Sequence, residues 1–231
     1  MSGMSLALPV RPESLSDVVY ETIRDAIVQR TIPPGARVTE TGLAKQLDVS
    51  KTPVREALLK LREIGLIEPH GARGGRVVLP SPIAIRNAYE TRLALETFAA
   101  QTAAQRGSAA DKAQIEAIAR TCLEHAEAGD LDGFKAYDAQ FHEAVVRATD
   151  NPRLATMVAD TVALVTALRR RDVPRAQISI ECAQAHVGIA AAITAGDGDA
   201  AASRMAEHLR HVEACVLTSM LDEGSDAAVA H

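Results

Sequence analysis

The sequence predicts a mainly α protein, an N-terminal winged helix-turn-helix followed by an all-α six-helix bundle. Three observations predict it. Over the first 80 residues the elements read helix, short helix, tight turn, helix, hairpin, which is the order of a winged helix-turn-helix. Beyond Pro80-Ser81-Pro82, apolar residues recur only at helical spacing. Composition agrees: 47% hydrophobic and 24% charged marks a globular chain, and 3% aromatic with no Trp marks helix packing through small residues. The expected limits are 11–79 for the winged domain, 80–84 for a linker, 85–222 for the bundle and 223–231 for a disordered tail.

Leu15, Val19, Ile23 and Ile27 recur at helical spacing, which predicts a first helix over 14–30 with Ser14 as its N-cap. Ile32-Pro33-Pro34-Gly35 stops it. Thr39 then precedes a short helix over 40–47, with Leu43, Ala44 and Leu47 inward. Asp48-Val49 makes a tight turn, and Ser50 caps the next helix. Pro53 falls in that helix's first turn, where a missing N–H costs nothing. Leu58, Leu61 and Ile64 form its buried stripe, and Gly65 suits the position after its end. The runs 66–68 and 76–79 are β-prone and flank HGARGG, a hairpin with a flexible basic tip.

Charge divides the same way. Residues 1–80 carry 11 Lys and Arg against 9 Asp and Glu, a net of +2; the remainder carries 14 against 21, a net of −7. That asymmetry implies a different partner for each part. Lys51, Thr52 and Arg55 stand on the first turns of the third helix, ahead of the apolar repeat that anchors it. In a winged helix-turn-helix this end enters the major groove. Its free N–H groups and positive dipole end favour phosphate, and a Lys, a Thr and an Arg one turn apart reach phosphates and base edges. A lone capped helix with these residues would read as a solubilised core helix; with the preceding short helix and the basic wing, the pattern implies DNA binding.

The stretch GARVTETGLAKQLDVSKTPVREALLKLREIGLIEPHGARGGRVV resembles the DNA-binding domain of the GntR family of bacterial transcription regulators. It has the family's LA…L-x-V-S helix, its P-V-R-E-A-L…L…G-L helix and its R-G-x-x-V wing, and the likeness covers roughly residues 15–80. The resemblance implies that Arg37, Lys51, Thr52, Arg55, Gly71 and Arg73 contact double-stranded DNA, with Ser50 at the helix cap among them. Lys51 stands where family members usually carry Arg, which keeps a phosphate contact and forgoes bidentate guanine reading.

The remainder predicts six helices, over 83–106, 111–127, 131–149, 152–171, 174–195 and 197–221. Polar residues interrupt three of their apolar stripes. Phe134, Asp138, Phe141, His142 and Val145 share a face, with Asp138 and His142 one turn apart. Cys182, His186, Ile189 and Ile193 share another, and Met205, His208, Val212 and Cys215 a third. His211 falls on an outer face, and His125 reads as structural. A single buried histidine is ordinarily a satisfied core residue. Three of them with an aspartate, all facing one bundle interior, cost too much to leave unpaired. One divalent transition metal per subunit, held by Asp138, His142, His186 and His208, resolves that cost. This donor set suits Zn²⁺, alternatively Ni²⁺ or Mn²⁺. Cys122, Cys182 and Cys215 form no CxxC pair and read as free thiols.

The same spacing resembles the FCD ligand domain of the FadR-type branch of the GntR family, over about 85–222. There an Asp-x-x-x-His motif and two later histidines surround a metal, and the flanking D-A-Q-F-H-E-A, N-P-R-L and M-A-E-H-L also match. The resemblance implies a metal held constitutively that helps bind a small carboxylate effector, in a homodimeric regulator, most often a repressor, of palindromic operator DNA. Arg92 shares an inner face with Ile85, Ala88 and Leu95, and either clamps that carboxylate or pairs with Glu96 one turn on. A direct metal sensor is the alternative. A metal-dependent enzyme is remote, because all four polar residues are consumed as ligands and no HExxH, P-loop or GxGxxG pattern is present. The leading MSGMSLALPVRPESL lacks a secretory n-region and h-region, and no apolar run approaches ~18 residues. The expectation is a cytoplasmic protein with no membrane partner.

Overall fold

The computed structural model describes residues 14–71, 74–169 and 176–229. The chain divides into two compact units, Met1–Leu79 and Pro80–His231.

In the first unit α1 (Leu15–Val28) starts at Ser14, whose hydroxyl accepts from the Asp17 N–H. It buries Val19, Ile23 and Ile27. Leu15 was expected on the same stripe but is 54% exposed. Steps of four residues overshoot a 3.6-residue turn by about 40° each, so three of them carry Leu15 roughly 120° away from Ile27. Strand β1 (Arg37–Thr39) leads directly into α2 (Glu40–Leu47), where Thr39 accepts from the Gly42 N–H and Leu43 and Ala44 are buried. Asp48 closes α2 in the left-handed region, φ +53°, a conformation Asp tolerates better than most residues.

Helix α3 (Lys51–Glu63) buries Pro53, Val54, Ala57, Leu58 and Leu61 and packs on α1. Ser50 occupies its N-cap position, but its hydroxyl makes no capping bond. Gly65 follows with φ +79°. Strands β2 (Ile67–Pro69) and β3 (Gly74–Val77) form the expected hairpin, and β3 lies between β2 and β1 in an antiparallel sheet. Register pairs Arg37 with Arg76 and Ile67 with Val77. The two glycines of HGARGG that fall in β3 are packed, contrary to the expected flexibility. A Cβ on Gly74 would sit 2.6 Å from the Val38 carbonyl, and one on Gly75 would run into the Ile67 side chain.

The second unit consists, among the described residues, of α4 (Pro82–Arg106), α5 (Ala109–Glu127), α6 (Leu131–Arg147), α7 (Pro152–Leu168), α8 (Ala176–Ala195) and α9 (Gly198–Val229). The expected linker 80–84 is shorter in the structure. Ser81 already caps α4 by accepting from the Ala84 N–H, and Pro82 takes the first helical position. At the other end α9 continues to Val229, through most of the segment expected as a disordered tail; that segment has no proline, and Gly224 alone costs a helix only about 1 kcal/mol. Ser108 and Asp111 form a reciprocal capping box at α5. Asp130 caps α6 and Asn151 caps α7.

Helix α4 is central, touching α6, α7, α8 and α9, while α5 packs on α6 and α8. Ala99, Ala100, Ala103 and Ala104 let neighbouring helices approach α4 closely, and Phe141, Val145, Ile189, Ile193, Met205 and Leu209 fill the space between. Gln177–Ala195 of α8 is long and apolar enough to cross a membrane by length and composition, but its inward side lies in this core, with Ile189 and Ile193 fully buried.

Candidate nucleic-acid interface and candidate metal centre

Helix α3 has two unlike sides. Pro53, Val54, Ala57 and Leu58 face the core, so Lys51, Thr52 and Arg55 are left exposed on the first turns. Arg55 is not loose. Its Nε and Nη2 donate to Glu40 Oε1 and Oε2 at 3.1 and 3.0 Å, and Glu40 is itself nearly buried at the start of α2. The Arg55 side chain remains 57% exposed, and solvent screening weakens a fork with so exposed a partner. The fork therefore orients the guanidinium without withholding it. Arg37, exposed on β1, reaches the wing tip, where a Cβ on Gly71 would stand 3.6 Å from its Nη2. Gly71 sits at φ +72°, a conformation that favours glycine. Arg73 lies outside the described residues.

In the second unit, α6, α8 and α9 each bring one histidine to a common point. His186 Nε2 lies 3.2 Å from His208 Nε2, which lies 3.4 Å from His142 Nε2. The three rings are 0%, 4% and 6% exposed for His186, His208 and His142. Three Nε2 atoms bound tetrahedrally to one ion at ~2.0–2.1 Å would stand about 3.3 Å apart, so the spacing fits a metal. Asp138, one turn before His142, stands at the edge, 34% exposed, with Oδ1 3.7 Å from His186 Nε2. Phe141 stacks on His186 at 4.2 Å between centroids and fixes the ring plane.

The electrostatics suit a cation. Burial pushes His186 and His208 well below the ordinary imidazole range, and the neighbouring imidazoles push further. Both rings are therefore neutral with lone pairs to offer. Metal binding through Nε2 places the ring protons on Nδ1. There, His186 faces Cys122 Sγ at 3.8 Å and His142 faces Glu96 Oε2 at 2.6 Å, close although out of line for a regular hydrogen bond. Among the described residues, His208 Nδ1 is buried with no partner. Burial, assisted by Asp138, pushes the Cys122 thiol up to about 12, so it stands as a neutral neighbour and not as a thiolate ligand.

Arg92 is 5% exposed, and of its two expected roles the structure displays the ion pair. Nε donates to Glu96 Oε1 at 2.5 Å and Nη2 to Oε2 at 3.3 Å. Burial alone would raise the Glu96 pKa; Arg92 and then His142 outweigh it and hold the carboxyl well below the usual range. Arg169 in turn donates through Nη2 to the Tyr89 hydroxyl at 2.6 Å, and the Tyr89 ring lies under Arg92. Glu96 was missed as a member of the centre. Its signal was present: Tyr89, Arg92, Glu96, Ala99 and Ala103 trace one helical stripe with a carboxylate inside it. His125 is structural as expected, tied to Asp130 at 2.8 Å and stacked on Tyr137.

Comparison with known proteins agrees with both halves. The family description "Bacterial regulatory proteins, gntR family" matches residues 15–77, and the FCD domain matches 87–211. The HTH-type transcriptional repressor RspR of Escherichia coli K12 is 28% identical over 94% of each chain. A Paenarthrobacter nicotinovorans protein named "Probable D-xylose utilization operon transcriptional repressor" is 34% identical, over 91% of this chain and 93% of its own. Among solved structures, E. coli McbR/YncC superposes with a TM-score of 0.73 at 22% identity, covering 90% of this chain and 99% of that one, a likeness of fold. A GntR protein from Rhodococcus sp. RHA1 gives 0.65 at 26% identity, over 88% of this chain and 97% of that one. With a winged helix that exposes its recognition end, followed along the chain by an FCD domain, the chain belongs to the GntR family and is a DNA-binding transcription regulator.

Proposed function

We propose that this regulator is a homodimeric repressor whose hold on a palindromic operator is controlled by a small organic acid, bound beside a divalent metal in the C-terminal unit. The observation that carries the reading is the meeting of three buried imidazoles with Nε2 atoms 3.2 and 3.4 Å apart. The repressor names of two relatives support the direction of control.

His142, His186 and His208 would hold the metal through Nε2 and Asp138 through a carboxylate oxygen, with zinc favoured by the nitrogen-rich donor set. A cation there would supply net positive charge and open positions for a carboxylate in a largely dry interior. Phe141 holds the His186 plane, and Arg92 stands one contact away through Glu96. At the DNA end, Lys51, Thr52 and Arg55 would read one half-site, Arg37, Gly71 and Arg73 would follow the backbone, and the dimer's two-fold axis would set the palindrome. An acid that binds one arrangement of the dimer better shifts the population toward it, by no more than its difference in affinity. The regulator would act in the cytoplasm, where its operator lies. Among the described residues a catalytic reading lacks a free base, because Glu96, the buried carboxylate at the centre, is forked by Arg92.

Elemental analysis followed by gel shifts tests this, with and without chelator and with a panel of small carboxylic acids. The expected result is one metal per chain, DNA binding that survives chelation, and release by an acid only in the metal-loaded protein. Switching by metal alone would make the chain a direct metal sensor. A protein that carries no transition metal and takes up none would end the reading.

A further inference from the structure

Glu96 is 1% exposed, and its carboxylate serves two groups at once. Oε1 accepts from Arg92 Nε at 2.5 Å; Oε2 meets Arg92 Nη2 at 3.3 Å and His142 Nδ1 at 2.6 Å. Burying such an ion pair is no gain in stability by itself, since apolar residues of similar volume generally serve as well or better. The pair's position is what distinguishes it. The other two imidazoles have weaker neighbours behind the ring: His186 has a thiol 3.8 Å away and His208 Nδ1 none among the described residues, whereas His142 Nδ1 touches the carboxylate, although out of line for a regular hydrogen bond. Among the described residues, His142 alone of the three has a carboxylate at its far nitrogen.

We propose that Glu96 is the positioning residue of the metal centre: it keeps the His142 proton on Nδ1 and the Nε2 lone pair aimed at the ion, while Arg92 holds the carboxylate in place. The inference rests on the reading of the histidine cluster as a metal site. Carboxylates in this position orient a ligating imidazole and raise its basicity, and their loss typically weakens metal binding ~10–100-fold. Arg92 then acts on the metal through Glu96, in addition to any contact with the effector.

The test separates this role from a merely structural one. Zinc affinity of the full-length protein is measured by competition with a chromophoric chelator, and folding of the metal-free form by circular dichroism. In Arg92→Leu with Glu96→Leu the pair is removed together, so no uncompensated charge is left buried. If Glu96 positions His142, this double variant folds, melts near the metal-free wild type, and binds zinc ~10–100-fold more weakly. If Glu96 only partners Arg92, its zinc affinity stays within about threefold of wild type, and the proposal is overturned. Should the double variant not fold, Glu96→Gln decides, because it keeps the volume and one acceptor oxygen. A loss of about tenfold supports the role, and a change within threefold refutes it. Wild-type protein that binds no zinc at all overturns the underlying metal reading as well, an outcome distinct from unchanged affinity in the variants.

Discussion

Stripping the metal should leave a folded protein whose C-terminal unit loses stability as pH falls from 7.5 to 5.5. His186 and His208 are pushed well below the ordinary imidazole value, first by burial and then by their neighbours. In the unfolded chain each takes up a proton near pH 6.5, whereas in the folded chain neither does until far lower. The unfolded state therefore binds more protons across this window, so stability is complete above about pH 6.5 and drains away as pH drops through it. For one such histidine the loss between pH 7.5 and 5.5 is about 1.4 kcal/mol, and for two about 2.7 kcal/mol. Glu96 does not enter: its depressed pKa contributes stability above the ordinary carboxylate value of about 4.3, beneath the window.

For a domain of this size the loss corresponds to a melting temperature lower by roughly 5–11 °C. Circular dichroism melts of chelator-treated protein at the two pH values measure it. Metal at a hundred times its dissociation constant should restore about 2.7 kcal/mol at pH 7.5. His186→Phe with His208→Leu should lose most of the pH dependence. Equal melting temperatures at both pH values in the metal-free wild type would refute the reasoning, since desolvated imidazoles would then be absent from the folded state in solution.

Arg55→Ala should abolish specific operator binding in gel shifts while the fold stays intact, and Arg73→Ala should weaken binding with a salt slope smaller by about 1. Wild-type affinity in purified Arg55→Ala would displace the recognition end of α3. Glu40→Gln should leave melting nearly unchanged, because the pair it breaks is more than half exposed at Arg55. The same variant should narrow the ratio of operator to random-DNA affinity by freeing the guanidinium; an unchanged ratio would mean Arg55 needs no fork. His142→Ala with His186→Ala should lose metal, still shift operator DNA, and ignore the acid that releases the wild type; loss of DNA binding in a folded variant would count against a separate sensing site. A fragment beginning at Pro80, which has its own core, should dimerise in light scattering at micromolar concentration. A clean monomer would place the dimer contacts in the first unit.

What could be read in the chain depended on how local its cause was. Apart from the end of α9, helix limits came within a few residues because caps and breakers lie beside the turns they control: Ser14, Thr39, Asp130 and Asn151 each accept from a backbone N–H three residues ahead. Strand β1 did not come through. Three residues are too few for a period-2 pattern, and its partner β3 lies nearly forty residues on. The glycines of β3 misled for the same reason. Nothing adjacent to Gly74 and Gly75 records that Val38 and Ile67 close in from either side.

The centre shows the same division between polarity and partnership. His142, His186 and His208 were conspicuous because each breaks an apolar stripe, and a polar group in a buried stripe must answer for its desolvation whatever it meets. Glu96 breaks a stripe too, yet an arginine one turn before it offers a complete local explanation, an i, i+4 ion pair. That pair forms. Only the packing of α6 against α4 shows that Oε2, already facing Arg92 Nη2, also meets His142. A satisfied local rule thus concealed a long-range contact, and the concealment is physical: a carboxylate has lone pairs for several donors, so finding one donor in the sequence never exhausts it. Buried acids with an obvious helical partner are therefore the residues whose second partner has to be sought in three dimensions, and here that partner belongs to the histidine cluster.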